Sequence, residues 1–219
     1  MEKRDQDVRE RRVLPAAGAI EFRAAPEGGS SDSLGTLVGV AVPWDSLSER
    51  LWTDYETGLP VFERFARGAF TSCLASERCD PRCLVEHDPR MLVGRLSAGT
   101  LRVSETERGL EYEVDVPNTT LGRDLVVSVR RGDLTQSSFS FRIAKEGQVW
   151  LEEEDRLVRE VRTVGELFDV SPVTYPAYTE SSIEVAQRSL SESRKVVEAP
   201  PAGRDPRDAV AELLSRGIL

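Results

Sequence analysis

Between Leu110 and Val116 the chain alternates without a break: Leu110, Tyr112, Val114 and Val116 are apolar, and Glu111, Glu113 and Asp115 are acidic. Successive side chains on a strand point to opposite faces, so the segment reads as a strand with one face in a core and its acids in water. A half-buried strand cannot stand alone, and the chain offers it partners. Leu37, Val38, Val40 and Val42, with Gly39 and Ala41 between them, make a near-continuous apolar run. This reads as a strand buried on both faces, or approached by another backbone at Gly39. Further strands are expected at Leu84-Val85, Met91–Arg95, Gly99–Val103, Ser138–Phe141, Gln148–Glu153 (after a turn at Glu146-Gly147), Val158–Val164 and Leu167–Tyr175. Helical patterning is confined to three places. Leu121, Leu125 and Val129 form a stripe on a helix capped by Asn118, Thr119 or Thr120 and stopped at Gly132. Phe62, Phe65, Ala69 and Phe70 fall near helical spacing and place a short helix after Gly68, and Ala209–Leu214 is a short amphipathic stretch. No βαβ alternation or long repeat is present. The expected fold is therefore mostly β (α+β): a single β-barrel of about seven strands with short flanking helices.

The ends differ in composition from the middle. Residues 1–33 are charged, then rich in Ala, Pro, Gly and Ser, and are expected as a mobile arm in which only Ala19–Ala24 can pair as a strand. Residues 34–183 hold the barrel, and 184–219 are expected as a flexible, Pro-interrupted tail ending in the short helix. The net charge of -9 argues against nucleic-acid binding as the main activity. No apolar run approaches the roughly 18 residues of a membrane span, and Met1–Arg12 lacks the apolar core of a secretory signal. Three cysteines, Cys73, Cys79 and Cys83, fit reduced thiols better than a disulfide framework.

Chemistry concentrates in three segments. In Gly132–Arg142, Phe139 and Phe141 share one face of a strand, and Ser138 and Ser140 share the other. A hydroxyl on a rigid strand can serve as a nucleophile if a base activates it. The chain has one histidine, His87, at the end of Leu84-Val85 and before the Asp88-Pro89 turn. The third segment, Glu166–Ala177, sets Asp169 between Phe168 and Val170. A carboxylate among apolar neighbours is costly unless it faces a partner or solvent. Ser, His and a carboxylate with these roles form a nucleophilic triad. The alternative use of His87 is metal binding: Cys73, Cys79, Cys83 and His87 lie within fifteen residues and could offer four ligands to zinc, although without a Cys-x2-Cys knuckle.

Five motifs in order also resemble one family. They are Phe62-Glu63-Arg64-Phe65-Ala66-Arg67-Gly68-Ala69-Phe70, then His87-Asp88 with Gly94-Arg95, then Asp115–Thr119 with Gly122-Arg123-Asp124. Gly132-Asp133-Leu134 with Ser138-Phe139 and Phe141, and Asp169–Ala177, complete the set. Together they span residues 34–182 and are similar to the prohead (capsid maturation) proteases of tailed phages, a family similar in fold to the herpesvirus assembly proteases. The resemblance implies a serine endopeptidase with Ser138 as nucleophile and His87 as base. Asp169 stands where the family more often has Glu. The family usually has Gly where Gln136 stands and often Gly at Ser140, so Ser137 and Ser140 stay open as rival hydroxyls. Backbone amides near Phe139 or Gly94, or the Arg95 side chain, are the candidates for stabilising an oxyanion. The implied substrate is the phage major capsid or scaffolding protein, with self-cleavage and homo-oligomer formation as further implications. The implied setting is the assembling prohead in the host bacterial cytoplasm, with no cofactor, nucleic acid or membrane as partner. A non-enzymatic scaffold or capsid-interaction protein, with the serines as an ordinary polar face, is the other reading.

Overall fold

The computed structural model describes residues 9–12, 20–26, 31–175 and 186–194. Backbone contacts divide the chain into two units, Met1–Val185 and Ala186–Leu219. In the second unit, residues 186–194 are helical. The helix expected at Ala209–Leu214 lies outside the described residues.

The first unit is mostly β, and its strands pair into three sheets. The first sheet has the order β1 (Glu10–Arg12), β10 (Gln136–Ile143), β13 (Val164–Val173), β6 (Arg82–Leu84) and β7 (Leu92–Arg95). The second has β11 (Gln148–Glu153), β12 (Arg156–Val161), β5 (Pro60–Phe65) and β4 (Trp52–Thr53). The third has β2 (Glu21–Ala24), β3 (Ser33–Pro43), β9 (Gly109–Pro117) and β8 (Leu101–Glu105). Pairing is antiparallel except at β12–β5 and β13–β6. Among the described residues the pairing does not close into one ring, so the single barrel expected from the sequence is not seen as such. Two short strands, β1 and β2, fall in the segment expected as an arm. β2 nearly coincides with the one stretch that could pair.

One apolar core serves all three sheets. It draws on Leu37 and Val42, Leu110, Tyr112 and Val114, Phe139 and Phe141, and Val161. At its centre Phe65 meets Phe139 and Phe141 edge-on, at ring-centroid distances of 5.3 and 5.2 Å. Edge-to-face packing suits the ring quadrupoles and pins β10 to β5. The period-two expectation for the Phe face of β10 therefore holds. The short helix after Gly68 is present as α1 (Thr71–Leu74).

β5 shows where local pattern misleads. Its buried residues are Val61, Glu63 and Phe65. The aromatics at 62 and 65 looked helical only because a glutamate occupies one of the inward positions. Gly39 differs in another way. A Cβ there would fall 2.6 Å from the Tyr112 ring, so its close neighbour is a side chain and not a backbone. The space lets Tyr112 cross the core and hydrogen-bond Ser137 (Oη to Oγ 2.9 Å).

The helix before β10 is α2 (Thr120–Arg131). The Thr119 side chain accepts from the Gly122 amide, and Gly132 ends the helix at φ 78°, a left-handed conformation that glycine adopts without strain. Leu125, Val126 and Val129 anchor it on the core, so the chain enters β10 from a fixed point.

Candidate active site

β10 and β13 run antiparallel with Ser138 opposite Ser171 and Ser140 opposite Asp169. On the face of β10 away from the aromatics, Ser138 and Ser140 have no exposed surface. What covers them includes His87, which leaves β6 on a turn tied to β13. The Glu86 amide donates to the Pro172 carbonyl (3.0 Å). The Glu86 carboxylate accepts from both the Thr174 amide (2.6 Å) and the Thr174 hydroxyl (2.5 Å). Between these anchors Glu86 and His87 have φ of 55° and 57°, two successive left-handed residues that are not glycine. Such conformations cost about 1–3 kcal/mol each and persist only where the surroundings hold them, often at functional sites.

The turn delivers the imidazole between two strands. His87 Nε2 lies 2.6 Å from Ser138 Oγ, and His87 Nδ1 lies 2.5 Å from Asp169 Oδ1. The sequence-selected residues Ser138, His87 and Asp169 are thus brought into one hydrogen-bonded line, buried from solvent. Ser140 Oγ also approaches the ring, but at 3.4 Å and at Nδ1, the nitrogen that faces Asp169. Ser137 points into the core to Tyr112. Of the three hydroxyls, Ser138 is the one at Nε2.

Asp169 is fully buried, and burial alone would raise its pKa. The hydrogen bond and charge of His87, a hydrogen bond from Ser171 Oγ (2.8 Å) and the charge of Arg9 outweigh that and hold the carboxyl below its ordinary value. It is therefore an anion able to accept from Nδ1–H and fix the tautomer that leaves the Nε2 lone pair on Ser138. Ser171 sits two residues from Asp169 on the same face of β13, a second hydroxyl that orients the acid. Sequence patterning does not single out Ser171 or Glu86, although Ser171 lies within the Asp169–Ala177 motif.

The zinc alternative does not survive this geometry. Among the described residues no three or more His, Cys, Asp and Glu side chains converge as a metal site. Cys83 is buried beside Asp169, and burial with that charge pushes its thiol far up. Cys73 is pushed up to about 12, chiefly by burial, and its thiol donates to the Phe70 carbonyl. Both ring nitrogens of His87 are already engaged. One oxyanion candidate is also committed elsewhere. The Arg95 guanidinium bonds Asp80 (Nε to Oδ2 2.7 Å).

A family model described as the caudovirus prohead serine protease matches residues 21–196. The chain belongs to this family. No curated protein and no solved structure matches it. The matched region contains Ser138, His87 and Asp169, as well as Glu86 and Ser171. It begins after β1, so the strand that edges β10 lies outside the matched region.

Proposed function

We propose that this prohead-protease family member is a serine endopeptidase in which Ser138 is the nucleophile, His87 the general base and Asp169 the group that orients the imidazole and stabilises the charge it gains from the Ser138 proton. The line Ser138 Oγ–His87 Nε2–Asp169 supports this reading, with contacts of 2.6 and 2.5 Å. His87 takes the Ser138 proton as Oγ attacks a peptide carbonyl, then returns it to the leaving amine. Water hydrolyses the acyl-serine by the same route. Asp169 stays ionised throughout, which the lowered pKa favours.

The substrate in this reading is the capsid or scaffolding protein of the same phage, cut within the assembling prohead in the host cytoplasm, with self-cleavage as a further target. A herpesvirus-protease-like arrangement belongs to the same reading, supported by the single core that all three sheets share. Co-expression with the coat protein tests it. Wild-type protein should process the coat protein and Ser138 should react with a fluorophosphonate, whereas Ser138→Ala and His87→Ala should do neither while keeping the wild-type circular dichroism. Processing by Ser138→Ala would refute it.

A further inference from the structure

β1 carries a feature the triad does not use. Glu10–Arg12 pair antiparallel with β10, Arg12 opposite Phe139 and Glu10 opposite Phe141, along the edge of the strand that holds Ser138. An extended segment added to a sheet edge is how many proteins hold a peptide. The Arg12 carbonyl accepts a hydrogen bond from Ser138 Oγ (2.9 Å). That hydroxyl has one proton and lies between this carbonyl and His87 Nε2, so it cannot donate to both at once. The seated segment thus places a peptide carbonyl on the nucleophile and competes with the base for its proton.

The side chains of this segment enter a charged seat below β10. Arg12 makes two bonds to Glu63 (Nε to Oε1 2.6 Å, Nη2 to Oε2 3.2 Å). Glu10 accepts two from Arg159 (Nη1 to Oε2 2.7 Å, Nη2 to Oε1 3.1 Å). All four side chains are at most 2% exposed. The network also divides cleanly. Arg12 and Glu10 pair with each other (2.7 Å), and Arg159 and Glu63 pair with each other (3.0 Å). Arg159 is further held by Gln148 Oε1 (2.6 Å). Withdrawing the segment therefore leaves two neutral halves and no orphaned buried charge, the condition that makes breaking a buried ion pair so costly. Arg9 adds a last tie, to the Asp169 carboxylate.

We infer that the β10 edge above Glu63 and Arg159 is the acyl-side substrate groove, and that residues 9–12 fill it as a displaceable internal stand-in for substrate. This rests on the protease reading of the same site. Glu63 selects a cationic side chain on the residue whose carbonyl meets Ser138. Arg159 selects an acidic side chain two residues earlier. Arg11, opposite Ser140, lies by alternation on the other face. A peptide seated this way is cut on the carboxyl side of its basic residue, water giving OH to the acyl part and H to the released amine.

The test uses the full chain and two peptides, one copying residues 8–15 and one with the charges exchanged (E10R/R12E). Fluorophosphonate labelling of Ser138 should be at least about tenfold faster in E10Q/R12Q than in the wild type. The native peptide should slow that labelling and the exchanged peptide should not. Mass spectrometry should find the native peptide cut after its Arg12 position. Equal labelling of variant and wild type, or equal protection by both peptides, overturns the inference. If the double variant fails to fold, the two peptides added to the wild-type chain carry the same comparison. If Ser138 labels in neither protein, the protease reading falls. The seat is then judged by anisotropy of the fluorescein-labelled peptides, where the exchanged peptide should bind at least about tenfold more weakly and equal binding overturns it.

Discussion

Cutting the Glu86 clamp tests whether the strained turn is what aims His87. In Glu86→Ala the Thr174 amide and hydroxyl both lose their acceptor, while the Glu86 backbone bond to Pro172 remains. Bonds to a carboxylate contribute about 1.5–3 kcal/mol when sheltered, but Glu86 and Thr174 are exposed and water replaces the lost partner, so about 1 kcal/mol each is the better figure. The two left-handed residues store about 2–6 kcal/mol together. A loss of about 2 kcal/mol from the restraint is thus comparable to the strain it opposes, and the turn should sample relaxed conformations in which Nε2 leaves Ser138. At about 1.4 kcal/mol per tenfold, the competent fraction falls by up to about 30-fold. Fluorophosphonate labelling of Ser138 should slow by about 10- to 30-fold, with little change in thermal unfolding because the strain released in the relaxed turn offsets the lost bonds. Glu86→Gln keeps an acceptor oxygen and should recover to within about threefold of wild type. Labelling of Glu86→Ala at the wild-type rate would show that Asp169 and the Pro172 bond hold the ring unaided.

Three further outcomes follow from the same geometry. Asp169→Asn should keep the fold but disfavour the Nδ1–H tautomer, lowering kcat about a thousandfold in a peptide assay; a loss under about threefold would remove Asp169 from the mechanism. Gly39→Ala should cost about 1–3 kcal/mol in urea unfolding, because its Cβ would overlap the Tyr112 ring that bonds Ser137; an unchanged midpoint would mean that the ring shifts freely. Asp169 and Glu10 are both held below their ordinary values of 3.8 and 4.5, so unfolding takes up protons in acid. Their contribution should be intact at about pH 6 and fade as the pH falls through and below their ordinary values, and Asp169→Asn should flatten that slope; an unaltered slope would show that Asp169 does not contribute.

By itself the sequence determined what is local. Period-two alternation placed β9 and the Phe face of β10, and the cap candidates Asn118, Thr119 and Thr120 with Gly132 bounded α2, because these signals depend on neighbours a few residues away. It also narrowed the base to His87, since the chain has no other imidazole. The pairing of sheets was not legible, and neither was the choice among Ser137, Ser138 and Ser140, because which hydroxyl meets Nε2 depends on a turn from β6 and a register with β13. The strand β5 was not legible for a related reason: the inward Glu63 breaks the apolar pattern, and the arginines that make it tolerable, Arg12 and Arg159, lie 51 and 96 residues away. The edge strand at Glu10–Arg12 carries no apolar signature at all. Its burial is decided by ion pairs and by the open side of β10, which exist only once the chain has folded.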